Sequence, residues 1–377
     1  MTGVAASSHP WTAWQSLASQ WSSLHAQSPY ASCFSTGEWV DAWLNQFGEQ
    51  LSPELLVFHD TSESTSSASD AAPVAICVLV KRSERRGPFW IRRIYLHTAG
   101  EDEADECVAE NNSLLCRAGR EGDVAIALRR YIDRQPWDEF VAPALGEGPT
   151  RAALLSAFRD VPVLTSESPN YYVDLSALST SADAYLETLS RNTREQIRRS
   201  MKSYAAAGPL TLEAPRDVAE AQHMLEELSV LHQRVWNARG KAGVFSSARF
   251  FAFHRAFIDR GFASGHIQLL RIRAGETVVG VLYNLVNGRT VSVYQTGLSL
   301  GDKKLKPGFV AHTLAIDQCR AAGFSEYEFL AGRDQYKQSL SRNVRTLAWL
   351  TVRNRTVRMR VLDAFERLRK RVLEFRR

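Results

Sequence analysis

The run Lys303-Lys304-Leu305-Lys306-Pro307-Gly308 sets three cations and a turn directly before an apolar-periodic segment, 309–322. The first N–H groups of a helix have no intrahelical partner, and the helix dipole favours an anion there. Gly308 lets a backbone approach closely, so Lys304, Lys306, Pro307, Gly308 and Phe309 are candidate ligands for a phosphate group. Composition alone also fits a solvated Pro-Gly turn. For proton transfer the candidates are His232, Tyr336 and Lys337. His232 reads either as a base or as a packing histidine of its helix. Tyr336 can protonate a leaving group, and Lys337 reads either as an anion ligand or as a surface lysine. Arg194, Arg198 and Arg199 share one helical face, which is either solvated or suited to a pyrophosphate. Trp236, Arg239 and Tyr294 complete the set expected to hold a substrate, and a strand N–H after Tyr294 is a candidate oxyanion donor.

These residues need elements to position them. In the second half, 182–207 reads as a helix and 210–214 as a strand. Amphipathic helices follow at 217–238 and 248–260, the latter capped at Ser247. Segments 266–273 and 277–286 flank Gly275 as a hairpin, and 291–296 is a third strand. After the lysine-rich run come helix 309–322, strand 327–330, helix 334–340 and strand 347–352. In the first half, Trp39, Trp43 and Phe47 recur every fourth residue in a helix over 36–47. Strands are expected at 55–58, 74–80, 91–97, 140–145 and 171–175, with a helix at 122–134. The serine-rich stretch 61–72 reads as a surface loop. A three-strand meander followed by a strand–helix–strand unit excludes a TIM barrel and an ordinary doubly wound sheet.

The chain has 377 residues, enough for two domains of ordinary size. No apolar run approaches the ~18–20 residues of a membrane span. The polar N-terminus has no signal-peptide pattern. The five cysteines Cys33, Cys77, Cys107, Cys116 and Cys319 include no CxxC pair, so no metal is expected and a cytoplasmic setting is. The net charge is +5, but residues 353–377 hold ten Lys/Arg against three Asp/Glu. There Val361, Leu362, Phe365, Leu368, Val372 and Phe375 alternate with arginines as a basic amphipathic helix. Such a helix can lie on an anionic membrane, pack on the body or pair with a second chain.

Three stretches carry a family resemblance: Leu231-His232-Gln233-Arg234-Val235-Trp236-Asn237-Ala238-Arg239-Gly240; Tyr294-Gln295-Thr296-Gly297 with Lys306-Pro307-Gly308; and Tyr327-Glu328-Phe329-Leu330-Ala331-Gly332 with Tyr336-Lys337. Together they resemble the CelD-like bacterial GNAT acetyltransferases, relatives of the FemX-like transferases with two GNAT-like units in tandem. Arg333 after Gly332 departs from the family's Gly-Glu pair, and Lys306 from its Ser-Pro-Gly turn. The resemblance implies an α+β fold of tandem GNAT-like domains with a mixed central sheet flanked by helices. It implies a degenerate first unit over 1–175, an acyltransferase unit over 176–352 and the basic helix over 353–377. It further implies acetyl-CoA or a longer acyl-CoA as co-substrate, with pantetheine entering between two central strands. The acceptor it implies is a small molecule, saccharide or peptide, to be sought among cell-envelope or exopolysaccharide precursors. An aminoacyl-tRNA donor, as in FemX-like transferases, and a non-catalytic scaffold at a membrane are the competing readings.

Overall fold

The computed structural model describes residues 3–61, 72–181, 183–300 and 305–375. The expected loop 61–72, apart from its ends, and Lys303 and Lys304 lie outside them. The chain forms two compact units. Unit 1 holds the segments up to Asp102, Glu106–Glu167 and from Leu347 onward; unit 2 holds Glu103–Asp105 and Ser168–Thr346. The expected boundaries were 175 and 352. The difference arises because most of β12, late in the sequence, belongs to unit 1, and most of β6, early in it, to unit 2.

Unit 1 contains β1 (Val4–Pro10), α1 (Trp14–Gln27), α2 (Gly37–Leu51), β2 (Glu54–Asp60), β3 (Ala75–Arg86), β4 (Phe89–Leu96), α3 (Glu121–Asp133), β5 (Glu139–Leu145) and α4 (Pro149–Ala157). Strand β6 (Val163–Asp174) leads into unit 2, which continues with α5 (Ala184–Thr188), α6 (Arg191–Ala205), β7 (Leu210–Glu213), α7 (Val218–Asn237), α8 (Ala248–Gly261), β8 (Ile267–Ala274), β9 (Thr277–Asn287), β10 (Thr290–Leu298), α9 (Pro307–Ala321), β11 (Glu326–Ala331) and α10 (Gln335–Leu340). Strand β12 (Asn343–Arg353) leads back to unit 1, followed by α11 (Val357–Phe375).

The strand order is β1-β2-β3-β4-β5-β12 in unit 1 and β6-β11-β10-β9-β8-β7 in unit 2. Within each, one pair is parallel, β4 with β5 and β10 with β11. The two units therefore repeat one plan: a meander, a helix, a strand parallel to the last meander strand, and a second helix. The four-residue aromatic spacing on α2 does what its period implies, since Trp39, Trp43 and Phe47 are all fully buried. Each such burial contributes roughly 1.5–3 kcal/mol. The single helix expected over 182–207 is two. Leu189 is extended, and Ser190 restarts the chain by accepting the Thr193 N–H at 3.2 Å. Strand β1 and helices α1 and α4 were not anticipated; β1 is a small, largely polar strand that gives little periodic signal.

Candidate active site

Strands β10 and β11 pair only from Thr290↔Glu326 to Ser292↔Glu328. Beyond that point β10 runs on beside β9 to Leu298, while β11 pairs with β6. The two central strands therefore part, and among the described residues no strand covers the β11 side of β10 past Ser292. One residue beyond the parting, β10 bulges: Val293 lies opposite Asn284 and Gln295 opposite Tyr283, leaving Tyr294 as the extra residue. A bulge takes one residue out of the ladder and kinks the strand. The Tyr294 ring turns onto His254 of α8, 4.9 Å between centroids, and onto Tyr283 at 5.9 Å.

Helix α9 starts beyond the end of β10. Lys306 takes a left-handed φ of 44°, Pro307 occupies the first turn, and no side chain caps the helix. The first turn contains no acidic residue. Gly308 sits against the last residue of β10: a Cβ there would meet Leu298 Cδ1 at 3.2 Å. Phe309 anchors the turn in the core of unit 2. The parted strands, the bulge and this uncapped helix start thus belong to one stretch of chain.

On the other side of the sheet, α7 runs against β10. A Cβ on Gly297 would lie 2.5 Å from the Leu228 carbonyl oxygen, so only glycine permits this approach. His232, one turn on, is buried between Trp236 (5.7 Å) and Phe245 (5.1 Å). Its Nδ1 lies 3.2 Å from Gln233 Oε1. Burial lowers its pKa, with a smaller push from Arg239, which itself stacks on Trp236 at 5.7 Å. His232, Trp236 and Arg239 are therefore brought together, as their spacing on one helix suggested.

Tyr336 and Lys337 have different surroundings. Tyr336 stacks in parallel on His312 at 5.9 Å, and burial raises its phenol pKa well above the ordinary value. His312 is buried, with its Nδ1 2.9 Å from the Tyr327 hydroxyl. Burial, helped by the Lys337 charge, lowers its pKa to about 3. Lys337 is no surface lysine. Its ammonium is buried and donates to the carbonyls of Leu330 (3.2 Å) and Ala331 (2.5 Å). Leu330 has φ 60° and Gly332 φ 141°, so β11 ends in a left-handed turn that Lys337 staples. A Cβ on Gly332 would meet the lysine Nζ at 3.0 Å. This is a structural engagement that the Tyr-Lys spacing did not disclose.

At the fork itself lies a charge network that the sequence did not single out. Glu328, almost fully buried, accepts from Ser292 Oγ at 2.6 Å, from Arg345 at 2.6 Å and from Asn170. Burial pushes its carboxyl up, but the Arg345 charge and these hydrogen bonds prevail and hold it below its ordinary value. Arg345 also binds Glu326 and stacks on Tyr172 at 4.7 Å. On α6, Arg194 is half-buried and Arg198 is paired with Asp183 at 2.6 Å. Between the start of α6 and α10 a cavity of about 280 Å³ is lined by Leu189, Ser190, Thr193, Gln335, Gln338, Ser339 and Arg342.

This arrangement agrees with the comparisons. Residues 191–338 match the acetyltransferase (GNAT) domain family. No curated protein matches the sequence. Among solved structures, FemX superposes with a TM-score of 0.58 at 8% identity, covering 88% of this chain and 95% of that one. A protein of unknown function from Bacteroides thetaiotaomicron VPI-5482 gives 0.53 at 12%, covering 89% and 97%. The C-terminal DUF2156 domain of a putative lysylphosphatidylglycerol synthetase from Agrobacterium fabrum gives 0.52 at 11%, covering 93% and 96%. At these identities the likeness is one of fold. The chain thus has a GNAT-type fold with mixed sheets flanked by helices, and the GNAT domain lies within unit 2.

The GNAT domain contains most of the residues singled out from sequence, but in separate clusters. The α9 start, the Tyr294 bulge, the His232 group and the Tyr336–His312 stack are four neighbourhoods. His254 escaped notice because Phe250, Phe253 and Phe257 around it read as an ordinary helix core. Its pKa is pushed by burial to about 3. Asn170, Ser292 and Arg345 could not be found locally, since they meet Glu328 only through strand pairing.

Proposed function

We propose that the GNAT domain transfers an acyl group from acyl-CoA to an amine or hydroxyl. The observation that carries this reading is the parting of β10 and β11 with the bulge at Tyr294. Backbone groups there are outside the ladder, on a sheet interior that can take an extended thioester arm. In this reading the N–H following Tyr294 donates to the thioester oxygen, where charge develops as the acceptor attacks. The acceptor's nitrogen or oxygen bonds to the acyl carbon, the carbon–sulfur bond breaks, and the thiolate takes up a proton. His232 supports the proton bookkeeping: with a lowered pKa it is neutral near pH 7 and can accept the acceptor's proton. Tyr336 is the candidate donor to the thiolate, and the burial that raises its pKa works against that transfer. The phosphates lie at the α9 start, held by the Gly308 N–H, with Lys306 adding charge and Lys304 as the expected helper; the Phe309 N–H already donates to the Lys306 carbonyl at 3.0 Å. Tyr294, Trp236, Arg239, Arg194 and Arg198 remain the candidates for contacting the acceptor.

The finer grouping with CelD-like acetyltransferases, and an acceptor among envelope or exopolysaccharide precursors, rest on the motif resemblance. An aminoacyl-tRNA donor would need an open cationic face. On α6, Arg191 and Arg198 already pair with Glu195 and Asp183. Calorimetric titration with CoA and acetyl-CoA tests the proposal. Saturable binding is expected; no heat at millimolar ligand, or a tRNA gel shift in place of CoA binding, would overturn it.

A further inference from the structure

The C-terminal helix α11 has two faces with different fates. Met359 and Leu362 are buried against Ile91, with Phe89 beside them. Around that contact Arg353 holds Asp363 (2.5 Å) and Glu366 (3.2 Å). Arg358 reaches Asp138 at 3.3 Å and the Trp90 carbonyl at 3.0 Å. The helix is therefore fixed to unit 1 along one side. Its outer side is open at the valines: Val357 is 75% exposed and Val361 49%, while Phe365, 41% exposed, marks the edge of this face and meets Phe89 edge-on at 6.3 Å. These three recur at i, i+4 and i+8, within an arc of about 80° at 3.6 residues per turn. Sequence continues the same register through Leu368, Val372 and Phe375, and the helix extends to Phe375. By register, Arg360 and Arg367 border one edge of this stripe and Arg358 the other.

We propose that this outer face of α11 docks on an anionic phospholipid surface. The charge arrangement decides among occupants. Residues 353–377 carry a net +7, and Asp363 and Glu366 are spent on Arg353 on the packed side. A second copy would bring the same arginine-bordered stripe against this one, like charge on like. A bilayer of acidic lipids offers what the face lacks: acyl chains for the valines and Phe365, and phosphates for arginines reaching outward. Trp90, 60% exposed on the strand that Arg358 grips, is a residue type that favours the membrane interface. Among the described residues no helix is long and apolar enough to cross a membrane, so the helix lies on the surface.

The test is flotation of the full chain with phosphatidylcholine vesicles, with and without phosphatidylglycerol. The chain is expected to float with the acidic vesicles only, and to be released by high salt. Val357→Asp with Val361→Asp, both on the exposed face, should abolish flotation while leaving the melting temperature and CoA affinity unchanged. Arg360→Gln and Arg367→Gln should each weaken partitioning about fivefold, the factor matching ~1 kcal/mol per basic residue at such a surface. Failure of the native chain to float, flotation of the Asp variant as well as the native chain, or a solution dimer that this variant dissociates would overturn the proposal. Vesicle binding is read without any transfer reaction, so its failure leaves the proposed chemistry standing.

Discussion

The two units share a plan but treat its central opening in opposite ways. In unit 2, β10 continues past the parting and no described strand pairs with it on the β11 side. In unit 1, β4 and β5 pair over Arg93↔Glu139 to Tyr95↔Val141, and β4 then stops at Leu96. The space beyond is filled by the chain itself. Asn112 bridges to Leu145 in parallel, donates its N–H to the Ala144 carbonyl at 2.9 Å and accepts from Gly146 at 3.0 Å. Its side chain donates to Pro143 and Ala109. Cys116 bridges to Ala75 of β3 on the other side. The helices that follow differ in sign as well. Helix α3 opens with Glu121 and Asp123, whereas α9 opens with no acid after Lys306. Carboxylates at a helix start compete with any phosphate for the same dipole. One unit fills the gap beside its parting strand and begins the next helix with acids; the other leaves β10 without a strand partner there and begins its helix with none. The physical contrast supports an acyltransferase site in unit 2 alone.

That contrast can be broken or sharpened by substitution. The largest effect is expected from Arg345→Met, which strands the buried Glu328 at the fork. Removing one partner of a buried pair costs about 3–5 kcal/mol, and a denaturant midpoint near that of the native chain would show the network to be dispensable. Next comes Asn112→Ala in the plug, where unsatisfied backbone groups cost about 1–3 kcal/mol. Stability should fall while calorimetric CoA affinity holds; new ligand binding in unit 1 would mean that the plug alone closes it. Gly308→Val should weaken CoA binding about tenfold, equivalent to 1.4 kcal/mol, and more than Lys306→Ala does. Gly122→Val, at the matching helix of unit 1 where a side chain meets open space, should leave affinity unchanged. Equal losses at Gly122 and Gly308 would erase the distinction between the units.

The most gradual effect is that of acid. His97 in unit 1 and His254 and His312 in unit 2 have pKa values of about 4, 3 and 3, lowered by burial from 6.5. The unfolded chain therefore takes up protons first as pH falls. Their contribution to stability is complete above pH 6.5 and is lost as pH drops toward the folded values. Melting temperatures should decline over that range, and His312→Gln should make the decline shallower. An unchanged slope would mean that His312 is protonated in the folded chain.

Legibility varied with the range of the interaction. The elements of unit 2 were readable because periodicity, caps and the Pro-Gly turn are local; α8, the β8–β9 hairpin and the start of α9 lie within a few residues of expectation. Lys306 to Phe309 could be placed at a helix start for the same reason. The tail was readable as amphipathic, but not the division within it. Leu362 is packed on unit 1, whereas Val361 and Phe365 remain partly exposed. The bulge at Tyr294 has no local signature, since it exists only relative to the register of β9. The same holds for Lys337, whose nearest partners are carbonyls freed by the turn at the end of β11.

By itself the sequence determined most of the helices and strands of unit 2, where helix α9 begins, and that the C-terminal charge is concentrated in one helix. Each follows from side-chain period, backbone freedom or charge count within a short window. Only the tertiary structure decided that β10 and β11 part, that Asn112 plugs the corresponding opening in unit 1, and that Glu328 meets Ser292, Arg345 and Asn170. Those outcomes depend on strand register between residues far apart in the chain, and register is settled when the faces of the sheet choose which side chains to bury.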